Sequence, residues 1–294
     1  MDDLKTAVVT GATSGIGLAA VRLLAKSGIR IIGVGRDESR CEAAKSAILA
    51  ENPESDIQFV IGDLSTTSSV RNIAARIAGL LNGSCLDILM NVAGTVSSWH
   101  VNTPEAYELQ FAVNHLAPFL LTRELLPFLL KAGDARIFVV SSGSHYHTQI
   151  RWSDIMMRKR YSCLMAYKQS KLCNALFAAE LSRRLQGTAA AVYTIDPGLA
   201  NTEIGLKNTK GLEHLFWKLR MKSGTTPETP ASHMVALATR PEYAGKSGLY
   251  WLNGAPKQAS RIALDPGQAA RLWKFSEKLC GIADYFPEKP DSGI

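Results

Sequence analysis

The sequence predicts an α/β domain in which helices wind over both faces of a parallel sheet, a doubly wound architecture. Two observations predict it. Short β-branched runs alternate with longer stretches of helical periodicity through the first half of the chain, the pattern of strand–helix–strand units. The first of these runs also ends in a glycine-rich turn, Thr10-Gly11-Ala12-Thr13-Ser14-Gly15-Ile16-Gly17, which opens the first helical stretch. No repeat with a period of about 20–50 residues is present, which excludes solenoids and propellers.

Taken in order, the apolar runs predict seven strands, at 7–10, 30–34, 57–61, 86–91, 136–141, 190–196 and 249–251. Amphipathic stretches predict helices over 16–25, 39–50, 70–81, 104–130 and 167–185. Two segments interrupt the alternation. The first, 143–164, carries Trp152, Met156, Met157 and Tyr161 among Arg151, Arg158, Lys159 and Arg160. The second, 205–226, places Leu212, Leu215, Phe216 and Leu219 on one helix face beside five cations. Its position favours a helical substrate lid, with plain core packing as the alternative.

A chain of 294 residues, 46% hydrophobic, is expected to form a single domain over 1–294. No run of apolar residues is long enough to span a membrane. The opening Met1-Asp2-Asp3-Leu4-Lys5 has no signal-peptide character, so a cytoplasmic location is expected. Five cysteines without CxxC spacing argue against a disulfide framework and a zinc site, and no metal is expected. The formal charge of +7 is spread along the chain without a nucleic-acid motif, which reads as a solvated surface with a few phosphate-binding positions. Weak membrane-surface contact through the basic 205–226 segment is the remaining use for it.

Function is carried by a few positions. In the turn, Gly11, Gly15 and Gly17 let backbone approach a pyrophosphate, with Thr13, Ser14 and Ile16 between them at the positive end of the helix. The second strand ends in Gly35-Arg36. The acidic position that would bind a ribose 2′-hydroxyl is empty, and a guanidinium suited to a 2′-phosphate follows, so NADP(H) is the expected cofactor. Asp37 comes next, and a local Arg36–Asp37 pair is the competing reading. Asp63-Leu64 after the third strand can receive an adenine amino group, and Asn91-Val92-Ala93-Gly94 places small residues where backbone must pass close to a cofactor. Tyr167 and Lys171 are four apart, one turn apart on one helix face, so an ammonium beside the phenol would draw its pKa from about 10 toward neutrality.

These motifs, in this order, resemble the short-chain dehydrogenase/reductases over nearly the whole chain, from about Thr6 to Gly281. The resemblance implies a Rossmann-type fold and a carbonyl-reducing or alcohol-oxidising enzyme. It implies that Asn114 holds the water of a proton relay, that Tyr167 transfers the proton, and that Lys171 binds the nicotinamide ribose. A strand-end serine would hydrogen-bond the substrate carbonyl. Ser141 and Ser142 both stand there, and the family pattern selects Ser142. Pro197-Gly198 and Thr202 resemble the contacts to the nicotinamide carboxamide. The 25 residues between Ser142 and Tyr167, and the segment from Val113 to Thr122, resemble the retinol-dehydrogenase-like branch, which implies a lipophilic ketone, aldehyde or alcohol such as a retinoid or steroid. Family members pair through the tyrosine helix and its neighbour. The inserted segment could block that packing, so monomer and homodimer both remain open.

Ala166 to Asn174, with Ser247 to Trp251 and Leu272 to Leu279, also resembles light-dependent protochlorophyllide reductases, but Leu199 stands where those enzymes have cysteine. A double-bond reductase of that kind is therefore one alternative, and a non-catalytic nucleotide-binding regulator is another. His145 and His147 lack a third ligand for a metal, and no GxSxG elbow supports a hydrolase.

Overall fold

A computed structural model of the chain describes residues 4–200 and 224–286. Its strands are continuous apolar runs because helices cover both of their faces. They are β1 (Thr6–Thr10), β2 (Arg30–Gly35), β3 (Ile57–Ile61), β4 (Ile88–Asn91), β5 (Ala135–Val140), β6 (Ala190–Asp196), β7 (Tyr250–Leu252) and β8 (Ala255–Lys257). They form one sheet in the order β3-β2-β1-β4-β5-β6-β7-β8, parallel as far as β7. The chain turns from winding outward on one side of β1 to winding outward on the other, so the β1/β4 boundary is the topological switch point.

Eight strands replace the expected seven. The addition, β8, pairs antiparallel with β7 through the two-residue turn Asn253-Gly254, both at positive φ (52° and 74°). That is the geometry for which an Asn-Gly pair is suited, and it was the available sign of a hairpin in the sequence. The other strands fall within a few residues of their expected positions.

Alternate residues of the strands feed two cores. Val8, Val139 and Val192 face helices α3 (Thr67–Leu81), α5 (Ala117–Leu129) and α6 (Cys163–Arg184), with α8 (Pro266–Cys280) packed outside α6. Ala7, Val9 and Ile195 face α1 (Gly15–Lys26) and α7 (Glu228–Thr239), while α2 (Glu38–Glu51) contributes Ile48. Arg136 ties the second layer to the sheet. Fully buried, its guanidinium grips Asp134 and donates to the carbonyls of Leu237 and Arg240 (both 2.8 Å) at the end of α7. No helix among the described residues is long and apolar enough to cross a membrane.

The helix expected over 104–130 is shorter and interrupted. Ala106 takes φ +60° in a turn closed by an Asn102–Glu108 bridge, and the Glu108 carboxylate caps Gln110 and Phe111 to start α4 (Leu109–Phe111). A π-turn, Ala112–Leu116, then joins α4 to α5. Such turns cluster at functional sites.

The C-terminal stretch is sewn onto α5 and α6. Trp273 packs against Phe119, Phe177 and Tyr285, and the Arg184 guanidinium lies 4.4 Å from its ring. Tyr285 donates to the Phe119 carbonyl at 2.9 Å. Beneath them His115 is fully buried and contacts Ser276 Oγ at 2.9 Å. Burial pushes its pKa down to about 3. The unfolded chain takes up this proton near pH 6.5, so below that pH the unfolded state binds more protons and stability falls. Lowering the pH from neutrality to about 5 should remove about 2 kcal/mol through this residue. Denaturant titrations across that range should show His115→Phe with a correspondingly shallower pH slope than the wild type.

Candidate active site

At the carboxyl ends of β1, β4, β5 and β6 lies a cavity of about 680 Å³, which runs along the switch point from Arg36 at one end to Ser142, Tyr167 and Lys171 at the other. Thr10 fixes the crevice: its Oγ1 accepts from the backbone N–H of Val92 and Ala93 (both 3.0 Å), locking the end of β1 to that of β4. Sequence reasoning used Thr10 only as the start of the turn. A threonine at a strand end gives no sign of such a bridge until its neighbour in the sheet is known.

The turn after β1 has no space to spare. Gly11 sits at φ +69°, and a Cβ there would meet Ala93 Cα at 3.0 Å. A Cβ at Gly17 would lie 2.3 Å from the Gly11 carbonyl oxygen. Thr13, Ser14, Gly15 and Ile16 line the cavity. Ser14 makes no side-chain cap, so the first N–H groups of the twelve-residue helix α1 face this end of the crevice without one. This is a cradle for a pyrophosphate.

Gly35 and Arg36 form the next wall. A Cβ on Gly35 would lie 2.4 Å from Cys41 Sγ and 2.7 Å from Thr13 Cγ2, so an acidic side chain has no room there. Arg36 is exposed on the cavity lining. The Asp37 carboxylate instead caps α2, accepting from Arg40 N (2.9 Å) and Ser39 Oγ (2.7 Å), and these bonds hold its pKa below the usual value. No ion pair to Arg36 occurs among the described residues. Asp63 and Leu64 line the same end, with the Asp63 carboxylate accepting from Ser65 N and Oγ.

Ser142, Tyr167 and Lys171 meet at the far end. Helix α6 starts at Cys163, capped by the Ser162 hydroxyl, which brings Tyr167 and Lys171 onto the face that packs against β5. The Lys171 ammonium is buried, lies 5.7 Å from the centre of the Tyr167 ring and donates to the Val140 carbonyl at 3.0 Å. Burial lowers its pKa to about 8, partly offset by the Asp196 carboxylate. The two serines do different things. Ser141 Oγ donates to the Lys171 carbonyl at 2.7 Å, whereas Ser142 Oγ accepts from Ser144 N at 3.1 Å, which leaves its own hydrogen for another acceptor.

Two of the expected site residues lie off the lining. Asn91 is buried beneath the cavity, where its amide donates to Thr122 Oγ1 (3.1 Å), while Val92, Ala93 and Gly94 line the crevice. Asn114, in the π-turn, is also off the lining. Its Oδ1 accepts from Thr95 N (2.7 Å), and its Nδ2 donates to Thr95 O and Ser170 Oγ (both 3.0 Å). Its side chain holds backbone in place. Pro197 and Gly198 are on the wall, but Thr202 and most of the 205–226 segment lie outside the described residues. On the cavity rim Ala200 bridges Thr225, and Thr225 N donates to Leu199 O at 2.7 Å.

The inserted segment 143–164 packs beside the inner end of the crevice, between Ser142 and α6. Gln169 pins it to α6, accepting from Arg151 N and donating to Ile155 O (both 2.9 Å). Val96, Cys163 and Tyr167 make a small apolar cluster with Tyr161 against it. His145 is buried and His147 exposed on a separate groove, so the two do not converge, and no metal-binding group occurs among the described residues.

Fold and site together define an α/β protein of the dinucleotide-binding kind, with a tyrosine and a buried lysine side by side at the far end of its crevice. The chain belongs to the short-chain dehydrogenase family, whose model matches residues 5–212. Retinol dehydrogenase 13 of Homo sapiens is 38% identical over 287 residues, covering 95% of this chain and 85% of that protein. Retinol dehydrogenase 12 of Mus musculus is 36% identical over 278 residues, covering 95% and 87%. An uncharacterised Mycobacterium paratuberculosis protein of known structure superposes with a TM-score of 0.73 at 32% identity, covering 95% of this chain and 96% of that one. The chain is thus an oxidoreductase of the retinol-dehydrogenase-like branch, acting on CH–OH or carbonyl groups.

The cradle gives a direct test. Gly17→Ala drives a methyl into the Gly11 carbonyl and should weaken dinucleotide binding at least about tenfold, as nucleotide fluorescence titration would show, with the far-UV spectrum unchanged.

Proposed function

We propose that this protein is an NADP(H)-dependent oxidoreductase that interconverts a lipophilic ketone or aldehyde and its alcohol. The observation that carries the proposal is the meeting of Ser142, Tyr167 and Lys171 at the inner end of a crevice whose outer end holds Arg36. Bound nicotinamide supplies or removes the hydride. The rest falls to the chain. Ser142 Oγ–H and the Tyr167 hydroxyl donate to the substrate oxygen as negative charge grows on it, and Tyr167 then gives up its proton. The Lys171 ammonium, held on the Val140 carbonyl, favours the phenolate that this leaves behind. In the oxidising direction the same groups act in reverse.

The choice of NADP(H) rests on Gly35, which leaves no room for a carboxylate, and on Arg36, whose neighbour Asp37 is occupied by the α2 cap. The lipophilic substrate is supported by Val96, Tyr161 and Cys163 beside Tyr167, by the exposed Leu199 on the rim, and by the names of the retinol dehydrogenase relatives. Leu199 disfavours the protochlorophyllide-type reading. A regulator that only bound nucleotide would gain nothing from burying an ammonium beside a phenol, a costly arrangement without turnover. Asn114 acts through the backbone it orders.

The chain works as a monomer in this reading. Its own α8 and the aromatic cluster around Trp273 cover the outer faces of α5 and α6, which a second copy would otherwise use. Light scattering on purified protein should give the mass of one chain, and a stable dimer would overturn this part.

Two variants test the chemistry. Tyr167→Phe should bind NADPH normally yet lose turnover of retinal and steroid ketones by about 10²-fold or more. Arg36→Ala should weaken NADPH binding about 10- to 100-fold and leave NADH binding nearly unchanged.

A further inference from the structure

A buried polar chain lies directly behind Ser142. Ser260 N–H donates to His145 Nε2 at 3.1 Å. A backbone N–H can only donate, so Nε2 carries the lone pair and the proton of the neutral ring is on Nδ1. Nδ1–H then donates to the Ser142 carbonyl at 2.8 Å, and the His145 backbone N–H reaches the same oxygen at 3.0 Å. The Tyr250 hydroxyl, 3.3 Å from Nδ1, donates to Asp196 Oδ2 at 2.9 Å, and Asp196 Oδ1 accepts from Gly198 N at 3.0 Å. His145, Asp196 and Tyr250 are all buried. Their chain joins the turn after β5, which carries Ser142, to the turn after β6, which carries Gly198. Both turns line the inner end of the crevice.

We propose that His145, with Tyr250 and Asp196, is a positioning clamp: a neutral imidazole that holds the Ser142 backbone so that its hydroxyl points at the substrate oxygen, and fixes the Gly198 turn against it. The proposal rests on the functional reading above. The environment of the ring keeps it neutral. Burial lowers its pKa, the Ser142 carbonyl and Asp196 act the other way, and Lys257 adds to the lowering, with the Tyr146 and Tyr250 rings packed against it. Protonation would set an N–H at Nε2 against the Ser260 N–H and release the clamp.

The test uses the full chain, with imidazole ¹⁵N spectra and kinetics on all-trans-retinal and NADPH side by side. The wild-type spectrum should show His145 at neutral pH as the Nδ1–H tautomer, taking up its second proton only below the ordinary histidine range. His145→Phe should lower kcat about 10- to 100-fold with KM and NADPH affinity within about twofold, since only alignment is lost. His145→Asn, whose amide nitrogen can replace Nδ1–H, should recover most of that loss, and Tyr250→Phe should show a smaller fall of the same kind. A His145 that titrates near its ordinary pKa, or takes the Nε2–H tautomer, overturns the clamp. So does a folded His145→Phe with wild-type kcat, or an Asn variant as impaired as the Phe variant. A wild type inactive on retinal and other carbonyls, but with the Nδ1–H signature, contradicts the proposed function and leaves the clamp geometry standing.

Discussion

The site depends on one costly arrangement, the burial of the Lys171 ammonium. Taking such a charge out of water is unfavourable unless it is paired and hydrogen-bonded. Here the Val140 carbonyl receives it and the Asp196 carboxylate opposes the loss of its proton. The same bond seats α6 on the end of β5. Ser141 adds a second stitch in the reverse direction, from strand to helix, through the Lys171 carbonyl, and Asn174 a third onto the Val140 carbonyl at 3.0 Å. Tyr167 is therefore placed by several bonds made one turn away from it, and its own ring remains on the cavity wall.

The opposite wall is held by different means. Strands β1 and β4 separate at the switch point, and the gap persists because Thr10 bridges their ends and Asn114 ties Thr95 to the π-turn and to Ser170 on α6. The crevice is thus framed by side chains that never enter it. Within that frame the turn from Gly11 to Gly17 brings backbone to where a pyrophosphate can use it, and the cavity is long enough to run from Arg36 to Tyr167. An oxidoreductase needs this rigidity because the hydride and the proton must reach the same bond from two directions.

Much of this was legible in the sequence. The alternation of strands and helices follows from local periodicity, and the positions of Gly11, Arg36, Tyr167 and Lys171 on one crevice follow from spacing, because each is set by the element that carries it. Other features depend on partners distant in sequence. Ser142 and Ser141 are adjacent and chemically identical, and only the Lys171 carbonyl distinguishes them. Asn91 carries a motif signature of cofactor contact and Asn114 one of a proton relay, yet both side chains hydrogen-bond to the scaffold. Asp196, Tyr250 and His145 are separated by 50 or more residues and share no pattern, so nothing in the sequence unites them. The π-turn is equally hidden, since no residue of Ala112–Leu116 excludes an ordinary α-helix.

A crystal structure of the protein grown with NADP⁺ would show whether one crevice takes an entire dinucleotide. The pyrophosphate should lie over the N-terminus of α1, the 2′-phosphate at Arg36, the ribose beside Lys171 and the nicotinamide ring facing Ser142 and Tyr167. A dinucleotide bound in the reverse sense, or one whose nicotinamide lies away from Tyr167, would contradict this placement.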